Sequence, residues 1–292
     1  MTLEKLALRH SVRNYSDRPL TESDKSKLKS AITAVNNFEA GLHFSLVTDC
    51  PAPFQGFSRS YGLFTNVKNF IALVIDKSSY PMMEEKAGYY GEMLVMKCVE
   101  MGLGTCFVAG TYSRKHVNVQ LRAGWEIIAL ITIGYPSETT ESFIARKARS
   151  FIKRKSKSPL QFYEGSLPWE EVEKIFPNML PALKAVSLAP SAVNKQPVVI
   201  TVHPSGAEAD NEGTRYGQEF KQVEAESRRF LLSPLYSVLQ PELDFENKYR
   251  IEAKVDHPKQ LIDLGIAMWN FEQLFQGYWE WGNPARFIPC KG

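Results

Sequence analysis

The sequence has few cysteines, and their arrangement excludes several kinds of site. Cys50, Cys98, Cys106 and Cys290 form no C-x-x-C pair and have no histidine-rich neighbourhood in a chain of 292 residues. We therefore expect reduced thiols and no metal site. The five histidines are scattered along the chain, and no Ser-His-Asp order, His-Glu-x-x-His motif or phosphate-binding glycine loop is present.

Long hydrophobic runs are also missing. The cleanest apolar stretches, at 70–75 and 127–130, are far shorter than the ~20 residues of a membrane-spanning helix, so we expect no association with a membrane. Charged residues at 4, 5 and 9 leave no apolar core for a signal peptide, which predicts a cytoplasmic location. The 44% hydrophobic and 23% charged content is typical of a globular protein, and the length predicts about two domains.

The chain lacks a strong excess of one charge, since 35 Lys and Arg residues face 32 Asp and Glu residues. Seven of the cations lie within 146–157, a run with no acidic residue, and without them the chain would be net acidic. A local excess of this kind favours one bound anion or a basic linker over a nucleic-acid-binding face. We therefore expect no nucleic-acid partner.

Hydrophobic periodicity predicts mixed helix and strand in the first half of the chain. Residues 21–35 and 84–101 have the spacing of amphipathic helices, and Gly102 and Gly104 close the second one. Alternation at 42–46 and apolar runs at 70–75 and 125–134 predict strands.

The second half repeats this pattern. Residues 167–189 read as a helix that is broken near Pro177 and Pro181, 198–203 as a strand and 260–278 as a long helix. A shift of 155 positions carries 28–47 onto 183–202 without a gap, although few residues are identical. The sequence therefore suggests two copies of one unit, which we place at 1–157 and 158–292.

The segment from Arg9 to Arg13 contains the first candidate binding residues. If it is extended, Arg9, Ser11 and Arg13 project from the same side while Val12 turns towards the core. Two guanidinium groups and a hydroxyl suit a phosphate, because arginine offers permanently charged, bidentate hydrogen bonds. The alternative is a pair of surface arginines near a chain end.

A second candidate is the loop from Ala189 to Pro197, between a predicted helix and a predicted strand. Prolines restrict it at both ends, and Ser191, Asn194 and Gln196 supply more donors and acceptors than its backbone can use. Such a loop could form hydrogen bonds with the polar edge of a heterocycle. An ordinary self-capped turn would account equally well for these residues.

These segments resemble motifs of the nitroreductase-like flavoproteins. Residues 9–13, followed by Tyr15 and Pro19, resemble the Arg-x-Ser-x-Arg opening of that family, and residues 189–197 resemble its Ala-Pro-Ser-x-x-Asn-x-Gln-Pro loop. The stretches 102–110 and 133–138 fit the same family in order and spacing. The resemblance covers most of the chain.

The resemblance implies an α+β fold with mainly antiparallel central sheets flanked by helices. In that family two identical subunits interlock, and each FMN takes its phosphate site from one subunit and a ring-contacting loop from the other. Here the first copy has the arginine segment, but Val35, Asn36, Glu39, Gly41 and Leu42 replace the ring-loop residues. The second copy has the ring loop, but 162–167 contain no arginine segment. The chain therefore resembles the fused, tandem "TM nitroreductase" branch, a pseudo-dimer with one FMN site per chain that could be a monomer.

Site residues follow from the same resemblance. We expect the FMN phosphate at Arg9, Ser11 and Arg13, with His10 nearby and two residues of the basic run assisting. We expect the backbone N–H of Gly110 at the flavin N5. The loop residues would contact the ring. The full set is Arg9, His10, Ser11, Arg13, Gly110, Lys155, Lys157, Pro190, Ser191, Asn194 and Gln196.

The implied activity is that of an FMN-dependent oxidoreductase. It would use NAD(P)H to reduce nitroaromatics, quinones or related electron-poor small molecules by a ping-pong mechanism, with no protein side chain as obligatory acid or nucleophile. The alternative is a carrier or sensor that binds flavin or nucleotide without turnover, since one of two ancestral sites is lost.

Overall fold

A computed structural model describes residues 1–55, 63–78, 83–137, 156–205 and 248–290. The chain divides into two units. The N-terminal unit comprises residues 7–155 and 193–195, and the C-terminal unit comprises 1–6, 156–192 and 196–292. A short helix, α1 (Leu3–Ala7), begins the chain.

Helix α2 (Glu22–Phe38) confirms the helix predicted at 21–35. It begins with a capping box, in which the Asp24 N–H donates to Thr21 Oγ1 and the Thr21 N–H donates to Asp24 Oδ2, each at 3.1 Å. These bonds satisfy backbone donors that a helix start leaves without partners. Leu28, Ile32 and Val35 face the core, as their spacing predicts.

Helix α3 (Met83–Glu100) confirms the helix predicted at 84–101. It ends in a Schellman motif, because Gly102 adopts a φ of 73° and the N–H of Leu103 donates to the Cys98 carbonyl at 2.9 Å. A residue with a side chain would be strained at this φ.

Four antiparallel strands form the sheet of the N-terminal unit. They are β1 (Ser45–Val47), β2 (Asn69–Asp76), β3 (Gly104–Val108) and β4 (Trp125–Gly134), in the order β1-β2-β4-β3. All eight residues of β2 are buried, and the predicted strands at 70–75 and 125–134 are confirmed. Strand β3 was not predicted, since it is short and directly follows a helix end.

The C-terminal unit contains helices α4 (Trp169–Ile175), α5 (Met179–Leu188) and α6 (Leu261–Glu272). The predicted break near Pro177 is confirmed, but Pro181 breaks nothing. It lies in the first turn of α5, where backbone N–H groups have no partner within the helix and proline costs little.

The sheet of the C-terminal unit is also antiparallel. Its strands are β5 (Val199–Pro204), β6 (Tyr249–Lys254), β7 (Gly277–Glu280) and β8 (Ala285–Pro289), in the order β5-β6-β8-β7. The prediction of one helix over 260–278 is wrong at its end, because α6 stops at Glu272 and Gly277 begins β7. Trp279 of β7 is buried and pairs with Phe287 of β8, so long-range pairing decides the conformation there.

The two sheets share one strand order, in which the fourth strand of each unit lies between the second and third. In each unit the third strand directly follows a long helix, α3 before β3 and α6 before β7. The α+β architecture with antiparallel sheets is therefore confirmed, and the repeated topology fits two copies of one unit. Within the described parts of the chain, no helix has the length and apolar character needed to cross a bilayer.

Candidate functional site

Residues 9–13, which we call the arginine arm, are extended along the start of β3. Ser11 forms a parallel bridge with Thr105, and the N–H of Val12 donates to the Thr105 carbonyl at 2.8 Å. Val12 is buried, whereas Arg9, Ser11 and Arg13 are half-buried. Val12 faces the core as predicted, and the three polar residues retain exposure.

Two further contacts hold the arm close to the sheet. A Cβ on Gly104 would lie 2.6 Å from a methyl carbon of Val12, so the arm approaches β3 as closely as only glycine permits. On the other side, the N–H of Thr65 donates to the Arg13 carbonyl at 2.8 Å. The backbone of the arm is therefore fixed on both sides.

Tyr15 anchors the end of the arm, a role that the sequence did not reveal. Its hydroxyl donates to the Val12 carbonyl at 2.8 Å and lies 2.6 Å from Thr132 Oγ1 on β4. Burial raises the pKa of the Tyr15 phenol well above its ordinary value, and the nearby Cys106 thiol adds to the rise. The phenol is therefore a neutral group that ties the arm to the core.

The arm has a buried acidic neighbour. Arg9 Nε lies 3.9 Å from Glu92 Oε1 of α3, and the Glu92 side chain is fully buried while that of Arg9 is 13% exposed. Arg13 Nη1 donates to the Ser11 carbonyl at 3.4 Å. His10 is exposed, with Nδ1 3.2 Å from the Leu8 carbonyl. Glu92, which sequence reasoning missed, is therefore a buried carboxylate within ion-pair distance of the Arg9 guanidinium.

Gly110 lies two residues beyond the end of β3, in the same unit as the arm. It is exposed, and apart from its two chain neighbours no described residue has a heavy atom within 4 Å of the position that a Cβ would take. The arm meets β3 at Thr105, and the three residues from there to Val108 span roughly 10 Å. The arm and Gly110 are therefore at opposite ends of one short strand.

The loop from Ala189 to Pro197 has an unusual backbone. Val193, Asn194 and Gln196 have φ values of 49°, 52° and 49°, in the left-handed region that residues with side chains rarely occupy. Each such residue costs about 1–2 kcal/mol relative to a right-handed conformation. The conformation persists only because other groups hold it.

The Gln196 side chain is one of these groups. It is 3% exposed, its Oε1 accepts the N–H of Lys157 at 2.7 Å, and its Nε2 donates to the Ser187 carbonyl at 3.0 Å. Its own backbone N–H donates to Ser191 Oγ at 2.8 Å. The Ser191 hydroxyl thus binds within the loop, and the Gln196 amide ties the loop to residues outside it.

Asp263, in the first turn of α6, supports the same loop. Its carboxylate accepts the N–H of Ala192 through both oxygens, at 3.1 and 3.4 Å, and the residue is buried. No local pattern indicated this role, because 71 residues separate the partners. The loop is therefore held from α5, from α6 and from the segment at Lys157.

The structure brings one of the two predicted lysines to this loop. Lys157 is joined to Gln196 through its backbone, and its Nζ lies 5.4 Å from the centre of the buried Phe162 ring, within reach of a cation–π interaction. Lys155 and the rest of the basic run lie outside the described residues. Pro190, Ser191 and Asn194 are half-buried.

In the first copy, the residues at the positions that correspond to the loop 189–197 form hydrogen bonds with other parts of the N-terminal unit. The Asn36 amide donates to the Phe44 carbonyl at 2.9 Å and accepts the Phe44 N–H at 2.7 Å. Glu39 accepts from Lys86 Nζ at 2.9 Å, and the two side chains are only 10% and 9% exposed. Asn36 thus joins the end of α2 to the segment before β1, and Glu39 joins the turn after α2 to α3.

The chain is similar to known nitroreductases. A family model described as "Putative TM nitroreductase" matches residues 1–274. A solved structure described as a "putative nitroreductase", from Thermotoga maritima MSB8, is 18% identical, covers 99% of this chain and 94% of its own, and has a TM-score of 0.52. The fold likeness thus extends along the whole chain.

Other solved structures match about half of the chain. An FMN-dependent nitroreductase from Clostridium difficile R20291 is 19% identical over 48% of this chain and 90% of its own, with a TM-score of 0.37. A "putative NADH dehydrogenase/NAD(P)H nitroreductase" from Parabacteroides distasonis ATCC 8503 is 23% identical over 48% and 89%, also with a TM-score of 0.37. None of the curated protein sequences matches the chain.

Proposed function

This chain belongs to the nitroreductase family that matches it over residues 1–274 and is an oxidoreductase, and we propose that it is FMN-dependent. In this proposal NAD(P)H donates the electrons, and nitroaromatics, quinones or related electron-poor small molecules accept them in a ping-pong sequence. The observation that carries the proposal is the arginine arm, which is held along β3 and leaves Arg9, Ser11 and Arg13 half-buried.

The donors on the arm fit a phosphate monoester. Two guanidinium groups supply permanent positive charge and several N–H donors, and a hydroxyl lies between them in the sequence. Because the backbone is fixed by Thr105, Thr65 and Tyr15, the donors need little ordering when an anion binds. We assign the phosphate to these three residues, and the family resemblance implies contributions from His10, Lys155 and Lys157.

We assign the ring to the loop and to Gly110. Pro190, Ser191 and Asn194 are half-buried, so they retain surface for a ligand. The open space at Gly110 would let a flat ring approach its backbone N–H. FMN carries its phosphate and its ring at opposite ends, and the arm and Gly110 lie at opposite ends of β3.

The chemistry that FMN supplies when bound is two-electron transfer between a nicotinamide and an acceptor. The protein residues would bind and orient. Arg9 and Arg13 hold the phosphate, Asn194 offers an amide to the polar edge of the ring, and the Gly110 N–H donates near N5. The family resemblance implies one such cofactor per chain.

The absorption spectrum of the purified protein tests this proposal. We expect a flavin spectrum, one FMN released per chain on denaturation, bleaching on anaerobic addition of NADH or NADPH, and recovery on addition of a quinone or nitroaromatic. Initial rates at several concentrations of both substrates should give parallel double-reciprocal plots. Protein that neither carries nor binds added FMN would overturn the proposal, and bound flavin that millimolar NADH and NADPH leave oxidised would favour a carrier or sensor.

A further inference from the structure

We propose that Gln196 is a positioning residue. Its side-chain amide fixes the loop from Ala189 to Pro197 to the backbone at Lys157, and so places Asn194 for the cofactor. This inference rests on the proposed function. It assigns to Gln196 a role other than the ring contact that the family resemblance implies. The loop residues that would touch the ring are then Pro190, Ser191 and Asn194.

The first argument is that the Gln196 amide is already used at both ends. Its oxygen accepts from the Lys157 N–H at 2.7 Å, and its nitrogen donates to the Ser187 carbonyl at 3.0 Å. The residue is 3% exposed. A buried amide with both ends satisfied would lose these bonds if it turned towards a ligand, and each lost bond would leave a buried polar group without a partner.

The second argument is the backbone strain on either side of it. Asn194 and Gln196 both have left-handed φ values, and a residue with a side chain keeps such a φ only when its surroundings enforce it. The Gln196 side chain ties the loop to Ser187 of α5 and to the chain at Lys157, and Ser191 Oγ receives the Gln196 N–H. Removing the amide would therefore release the strain and move the Asn194 side chain.

The third argument concerns Lys157 itself. The N–H of this residue is bound by a side chain rather than by the backbone of a regular element, and Nζ lies over the buried Phe162 ring at 5.4 Å. Gln196 thus couples the end of the basic segment to the loop.

The test compares two substitutions at this position with a matched control. Gln196→Met keeps the approximate size and removes both hydrogen bonds, whereas Gln196→Glu keeps an acceptor for the Lys157 N–H and loses the donor to Ser187. Gln273→Met is the control, because the Gln273 amide also donates to a backbone carbonyl, that of Trp269 at 3.2 Å, but near the end of α6.

The first measurement needs no cofactor. Amide hydrogen exchange at Lys157 and Gln196 should become roughly tenfold faster in Gln196→Met, the factor that corresponds to one lost hydrogen bond. Gln196→Glu should keep more protection at Lys157, and the control should change neither site. Unchanged exchange at Lys157 in both Gln196 variants would overturn the inference while leaving the proposed function standing.

The second measurement is FMN affinity of the apoprotein in a double-mutant cycle. If Gln196 acts by placing Asn194, the variant carrying Gln196→Met and Asn194→Ala should bind FMN about as weakly as Asn194→Ala alone. The absorption maxima of bound FMN should be the same in the double variant as in Asn194→Ala alone. Losses that multiply, or maxima that differ between these two variants, would show that Gln196 acts on FMN other than through Asn194 and would overturn the inference. Absence of FMN binding by the unmodified protein would instead overturn the proposed function, whatever the exchange rates.

Discussion

The backbone N–H of Val12 donates a hydrogen bond to the carbonyl of Thr105 at 2.8 Å, which adds the arginine arm to the side of β3. The bond joins positions 93 residues apart in the sequence. Residues 9–13 are therefore hydrogen-bonded to the sheet and do not form a free basic segment. Substitutions in the arm, at Gly104 and at Tyr15 therefore test this arrangement.

Replacing Arg13 with alanine should weaken FMN binding. The loss should be about 1.5–3 kcal/mol, the contribution of a charge-assisted hydrogen bond, and can be measured by titrating apoprotein with FMN. Arg122→Ala is the matched control, because this arginine is exposed and lies in the loop before β4. Equal affinities for the Arg13 variant and the control would show that the phosphate is held elsewhere.

The two asparagines that correspond under the 155-residue shift should behave in opposite ways. Asn194→Ala should weaken FMN binding or change the rate of flavin reduction. Asn36→Ala should lower the free energy of unfolding by about 1–3 kcal/mol, because the Phe44 backbone loses both of its bonds to this amide, and should leave FMN affinity unchanged. If Asn36→Ala reduced FMN affinity as much as Asn194→Ala, one site per chain would be the wrong description.

Gly104→Ala should displace the arginine arm. The added methyl would lie 2.6 Å from Val12, and overpacking of this kind costs about 1–3 kcal/mol. Both the midpoint of chemical denaturation and the FMN affinity should therefore fall. Gly110→Ala provides the comparison for stability, since its methyl would meet nothing within 4 Å. A Gly104 variant as stable as the Gly110 variant would mean that the arm does not lie against β3.

Tyr15→Phe should change how stability depends on alkaline pH. Near pH 7 the variant should be less stable by about 1 kcal/mol, since the bond to the Val12 carbonyl is lost. Because burial raises the pKa of Tyr15 in the folded state, the unfolded chain releases its proton first once the pH passes about 10, and folded protein loses stability from there upwards.

Phenylalanine does not ionise, so the difference between the two proteins should shrink above pH 10 by about 1.4 kcal/mol per pH unit. Urea denaturation at pH 7, 9, 10 and 10.5 measures this difference. A difference that stays constant across the series would contradict a neutral, buried Tyr15. Sites that are common to both proteins, such as the other tyrosines, cancel in the comparison.

Local sequence patterns predicted the long elements well. Helices α2 and α3 were identified because their apolar residues recur with the period of a helix, and strands β2 and β4 because they are short apolar runs. Strands β3, β6, β7 and β8 were not identified. They have four to six residues each, and pairing with distant partners defines them.

The sequence by itself determined which residue types are available to a ligand: two arginines and a serine at alternating positions, and a polar loop enclosed by prolines. Only the tertiary structure decided how these residues are used. The arm is extended because Thr105 and Thr65 pair with it, and the Gln196 amide is committed to Lys157 and Ser187. Hydrophobic periodicity shows which face of an element is buried but not which distant residues it meets, and these bonds join specific positions of separate segments, so no local pattern could have revealed them.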